Sequence, residues 1–186
     1  METRRIAVGD RTWTVRVGGT ESKQTVLLLP DAGAPANVYD QVCARLHTSD
    51  LRTLSVETID GLDAATVYTI LDQMGVAWAQ LAGYGAGADL AWQLGARGFG
   101  RFVGLVVAGR AHPAIAVEGT AVDAGCPAVE LPTTVIATGS LPRTLADACG
   151  RHVYGEFRVT QIDADDVPVE ADHEFATEIV LRSGAW

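Results

Sequence analysis

The stretch QLAGYGAGADLAWQLGARG, residues 80–98, decides how the chain folds. Its first part is short and apolar, as a strand covered on both faces requires. Its last part places Leu90, Ala91 and Leu94 on one face of a helix. Between them Gly83-Tyr84-Gly85-Ala86-Gly87 is too rich in glycine for either element, so the chain turns sharply there. Strand–turn–helix corners of this kind present a nucleophile or a phosphate cradle in many α/β enzymes. This corner contains no Ser, Cys, Asp or Lys. Nothing in it can attack.

Outward from the corner, two hydrophobic periods alternate. In TWTVRV, Trp13, Val15 and Val17 face one way and Thr12, Thr14 and Arg16 the other, which predicts a half-exposed antiparallel strand. The GDRT before it closes a hairpin with RIAV. The runs TVLLL, RTLSV, AQLAG, FVGLVV, TTVIA and FRVTQI are mostly continuous in apolar character and read as strands, most of them parallel and covered on both faces. Helical faces lie between them: Val38, Val42, Cys43 and Leu46; Val67, Ile70, Leu71 and Met74; a shorter one at Leu145, Ala148 and Cys149; a last one begun by Phe175 and Ile179. The order β-β-β-α-β-α-β-α-β-loop-β-α-β-α predicts an α/β fold. It is a doubly wound, mostly parallel eight-stranded sheet with an N-terminal antiparallel hairpin, one domain over residues 1–186. The stretch from Arg110 to Pro132 is the least regular and reads as a surface excursion.

Composition narrows the function. A net charge of −9 argues against nucleic acid or an anionic membrane as the main partner, since both are bound through clustered Lys and Arg. The acid is uneven, with eight carboxylates and one Arg from Glu156 to Glu178. Cys43, Cys126 and Cys149 are few, odd in number and widely spaced, which suits a reducing compartment and no metal-ligand pattern. METRRIAVGD has no apolar core after its basic pair, so the expected location is the cytoplasm.

Order and corner together resemble the α/β-hydrolase superfamily over nearly the whole chain. That family places its G-x-S-x-G nucleophile elbow where this chain has Gly83-Tyr84-Gly85-Ala86-Gly87, so the attacking position is Gly85. After TTVIA the family carries its triad acid close behind a Gly, and Gly139-Ser140-Leu141-Pro142 puts Leu141 there. After the last strand the family carries its histidine in a D-A-G-H-like turn, and Asp163-Ala164-Asp165-Asp166 aligns Asp166 with it. The resemblance therefore implies a degenerate triad, with no catalytic residue at Gly85, Leu141 or Asp166. A triad needs a nucleophile, a base and an orienting acid, and all three are replaced. Where relatives carry His-Gly after the first parallel strand, this chain has Pro30-Asp31-Ala32-Gly33, and a carboxylate at Asp31 would repel an oxyanion unless turned outward. Relatives also insert a multi-helix cap between the strands that here are FVGLVV and TTVIA; the intervening stretch is too short for one.

The resemblance thus implies a capless, catalytically inactive α/β-hydrolase-like protein that works by binding or regulation, through a small-molecule ligand, a protein partner or a second copy of itself. Candidate ligand-binding residues are Asp31, Ala32, Tyr84, Gly85 and Ala86 around the corner; no metal and no cofactor are expected. A plain tight junction explains the same glycines with no ligand at all. Two other readings stay open. One is an enzyme of this fold using Asp31, Tyr84, Asp166 or His173 for acid–base work, with at least two converging above Gly85. The other is nucleotide binding at Gly83-x-Gly85-x-x-Ala88, which needs a crevice beside Gly83 and Arg110. Smaller signals have simpler explanations. The acidic run at Asp163–Asp166 with Glu170 and Asp172 reads as a solvated face, Cys126 and His112 as an unpaired thiol and imidazole, and His173 as a surface residue. His47 and His152 read as helix-end residues, and Trp78 and Trp92 as packing.

Overall fold

Strands β1 (Glu2–Val8) and β2 (Arg11–Gly18) form the N-terminal hairpin, with Ile6 opposite Trp13. Then follow β3 (Thr25–Leu29), α1 (Asp40–His47), β4 (Arg52–Val56), α2 (Ala64–Gln73), β5 (Ala79–Tyr84), α3 (Ala86–Arg97) and β6 (Phe102–Ala108). After residues 109–132 come β7 (Thr133–Ala137), α4 (Arg143–Ala148), β8 (Phe157–Gln161), α5 (Val167–Glu170) and α6 (Asp172–Ser183). This computed structural model describes residues 1–21 and 24–184. The eight strands form one sheet in the order β1-β2-β4-β3-β5-β6-β7-β8. β2 meets β1 and β4 antiparallel; every other pairing is parallel.

Period-two alternation within the apolar strands feeds two cores at once. Leu27 and Leu29 of β3 point to the face that packs Trp92, Val67 and Ile70, while Val26 and Leu28 point to the face that packs Val42, Phe175 and Ile179. Each such leucine is fully buried and contributes about 1.5–3 kcal/mol of apolar transfer. β3, β5 and β6 therefore lie central and rigid, and their carboxyl ends carry the corner at Gly85. Close approach fixes α3 there. A Cβ on Gly87 would stand 2.0 Å from the Leu29 carbonyl oxygen, so only glycine lets the helix sit this near β3.

Three expectations need correction. β8 is a half-exposed edge strand, because among the described residues no strand pairs beyond it. α5 was not foreseen, since four residues carry no helical period. Trp78 is 54% exposed rather than packed, standing in the loop before β5; Trp92 is buried. Among the described residues no helix is long and apolar enough to cross a membrane.

Candidate functional site

Gly85 sits between the last residue of β5 and the first of α3 at φ 56°, ψ −128°. A residue with a Cβ would be strained there by about 1–3 kcal/mol. The turn closes on itself, with the Gly85 carbonyl accepting from Ala88 and Asp89 N–H. Its first helical donor is met from another loop. Oδ1 of Asp31, which follows β3, accepts from Ala86 N–H at 2.7 Å and from Ala32 N–H at 2.8 Å. The carboxylate lies directly over residue 85: a Cβ built there would be 2.2 Å from Asp31 Cγ and Oδ1. Asp31 therefore turns inward, the orientation in which it would repel an oxyanion. Two backbone donors hold the carboxylate in the place that an oxyanion would otherwise take.

Beyond the carboxylate lies a cavity of about 290 Å³ walled by Asp31, Ala32, Tyr39, Tyr84, Asp166 and Pro168. Of the expected ligand-binding residues, Asp31, Ala32 and Tyr84 line it; Gly85 and Ala86 do not, because Asp31 covers them. Tyr39 was missed by sequence reasoning. Its hydroxyl donates to the Leu29 carbonyl at 2.7 Å, and no sequence signal distinguishes it from a core aromatic. Burial pushes the Tyr39 phenol well up, with Cys43, Asp31 and Asp166 adding to it. Burial also raises Tyr84, helped by Asp166 and Asp31, and the Tyr84 hydroxyl donates to the Asp165 carbonyl. The Asp166 carboxyl lies above its usual range through burial, then Glu170 and Asp31. The cavity is thus acid-rich and lined by neutral phenols.

No imidazole reaches it. His173 contacts Arg45 on the α1–α6 side, away from the corner. His47 bonds Thr53 of β4 rather than capping α1. His152, at the end of the 3-10 turn Cys149–His152 as expected, stacks on His112 with ring centroids 4.6 Å apart. His112 bonds the Pro127 carbonyl, while the Cys126 thiol contacts Arg97. Leu141 is buried in the turn after β7, its backbone closing on Thr138 in both directions. In the acidic loop Glu170 accepts from Asp165 and Asp166 N–H and so serves the loop itself, while Asp172 at the start of α6 pairs with Arg45 of α1. Among the described residues no group of three or more His, Cys, Asp or Glu is placed to hold a metal. Of the groups a nucleotide would use, the Ala86 donor is taken by Asp31, and Arg110 is paired through Nε with Asp89 at 3.1 Å.

A sheet ordered 1-2-4-3-5-6-7-8, with a positive-φ corner from β5 into α3, defines the α/β-hydrolase fold. Solved structures agree at low sequence identity. They include a hydrolase from Pseudomonas aeruginosa PA01, 16% identical with a TM-score of 0.79, with 98% of each chain covered. An enol-lactonase from Burkholderia xenovorans LB400 is 13% identical with a TM-score of 0.80, covering 96% of this chain and 99% of that one. Epoxide hydrolases of the alpha/beta hydrolases superfamily from metagenomes of hot environments give 14%, 0.79, and 97% and 98%. No family model matches the chain, and no curated protein matches it by sequence.

Proposed function

We propose that this chain is a catalytically silent α/β-hydrolase-fold protein that acts by binding a small ligand, in a reducing compartment such as the cytoplasm. The observation that carries this reading is the Asp31 carboxylate on the N–H groups of Ala86 and Ala32. Hydrolases of this fold use the donor that follows the nucleophile, with a second from the loop after the equivalent of β3, to receive a developing oxyanion. Here both donors already hold a negative oxygen of the protein itself. The attacking position is Gly85, the acid position is Leu141, and Asp166 stands where the base belongs. Such a carboxylate, when ionised, has no proton to give a leaving group. The three cysteines are free and buried, and burial pushes Cys43 and Cys149 up to about 11, so none is a ready thiolate.

The test is a fluorophosphonate probe together with short acyl esters. The expected result is neither labelling nor turnover, in the natural chain and in Gly85→Ser alike, because no imidazole stands at the bend. Stoichiometric labelling, or turnover abolished by one substitution, overturns the reading. A second reading rests on the raised Asp166 carboxyl beside Asp31 and Tyr84, which suits acid–base chemistry on a bound substrate. Turnover of an ester, lactone or epoxide that Asp166→Asn abolishes would favour it instead.

A further inference from the structure

A second chamber lies on the other side of Tyr84. Residues 109–132 run without a helix from the end of β6 to β7 and enclose about 350 Å³ against α3, within the size range of small-ligand sites. Leu90, Ile115, Val117 and Leu141 make its apolar walls, and Arg110 with Asp89 makes its charged one. The Tyr84 ring and Gly109 separate it from the cavity at Asp31: a Cβ on Gly109 would lie 3.5 Å from Tyr84 Cε2.

We infer that this chamber is a binding site for a small apolar carboxylate held by Arg110, an assignment that rests on the binding reading above and gives it a ligand class. The Arg110 backbone is fixed by Trp92, whose indole N–H donates to its carbonyl at 3.2 Å. Its side chain is fixed by Asp89, which takes only Nε. Among the described residues the two Nη groups make no hydrogen bond, so the fork is held in place with its bidentate edge unused. A planar carboxylate matches that edge in charge and geometry. Two further polar groups of the wall are already engaged and leave Arg110 as the free charged donor facing a ligand. Asp123 is taken by Arg97, and the Gln93 amide is engaged by Arg97 and Asp123. An ammonium ligand would have to face a guanidinium that cannot lose its charge.

The chamber is preformed, which limits the ordering cost of binding. His112 pins the excursion: Nε2 meets the Pro127 carbonyl at 3.0 Å, Nδ1 accepts from Ala114 N–H at 3.2 Å, and the ring lies edge-on to Trp92.

Calorimetric titration of the full chain with hexanoate and 3-phenylpropionate, against their amides and amines, tests the assignment. Expected are saturable binding of both acids, affinities at least about tenfold weaker for the amides and amines, and a loss of about tenfold or more for the acids in Arg110→Gln. Arg4→Gln, exposed on the edge strand β1, should bind as the natural chain does. If Arg110→Gln fails to fold, Val117→Trp decides: it fills the chamber and leaves the ion pair intact. Undiminished acid binding in a folded Val117→Trp, equal affinity for acid and amide, or no saturable binding by either acid overturns the site. Absent acid binding would leave the non-catalytic reading standing, whereas fluorophosphonate labelling would overturn that reading and leave this measurement untouched.

Discussion

At residue 85 a side chain and the Asp31 carboxylate need the same space, and their exclusion can be measured as a coupling. Gly85→Ala adds a Cβ at positive φ and drives it into Asp31, so it should destabilise the chain by at least about 1–3 kcal/mol. Asp31→Gly removes the side chain that, among the described residues, caps α3, since Gly85 itself offers none, and should cost about 0.5–2 kcal/mol. The double variant relieves the clash, so its loss should fall short of the sum by more than about 0.5 kcal/mol. Urea unfolding of the four proteins checks this; additive losses would mean that the carboxylate is not seated over the corner. Gly85 and the vacancy it leaves were legible in the sequence. The use of Asp31 was not, because it depends on how closely two loops 55 positions apart in the chain approach one another. Residue types reveal that a carboxylate is near a corner, but only backbone separation decides whether it repels an anion or replaces one.

Among the elements, the excursion at residues 109–132 depends most on ionisation. His112 is fully buried, and both ring nitrogens are used in the neutral form: Nε2–H donates to Pro127 and Nδ1 accepts from Ala114. Burial lowers its pKa from 6.5, His152 adds to the lowering, and the Pro127 carbonyl opposes it. Asp123 and Arg97 act on it with opposite signs. A folded value below the unfolded one means that the unfolded chain binds more protons in the interval. The stabilisation is therefore complete above about pH 6.5 and drains away as pH falls through that value towards the lowered one. Urea midpoints should drop between about pH 7.5 and 5, and His112→Gln should flatten the slope without removing it, since His47 and His152 are lowered in the same direction. An unchanged slope in His112→Gln would place the dependence elsewhere. The excursion was legible as irregular chain, and its length as too short for a helical cap. That it encloses a chamber was not: the imidazole stack and the indole contact that hold it join residues whose spacing follows no period.

Over the whole molecule, the fold was readable because two core faces are written into single strands. Val26 with Leu28 and Leu27 with Leu29 satisfy opposite layers, and the same alternation can be met by many residues, which is how identities of 13–16% coexist with TM-scores of 0.79–0.80 across the three solved structures above. The half-exposed edge at β8 escaped because its composition matches a covered strand and only sheet order shows that no described strand pairs beyond it. Net charge acts at this scale too. Nine excess negative charges, concentrated in the C-terminal third, repel one another in the compact state more than in the expanded chain. Local pairs such as Arg45–Asp172 and Arg182–Glu156 offset part of this, but each has a partner that is substantially exposed and is therefore weak. Salt screens both effects, the pairs at contact less completely than the long-range repulsion among charges further apart than a Debye length of about 10 Å at 0.1 M. Raising sodium chloride from about 20 to about 300 mM should therefore increase Tm by a few degrees at pH 7.5. A Tm that falls over the same range would mean that the ion pairs, and not the excess charge, dominate the electrostatics of this chain.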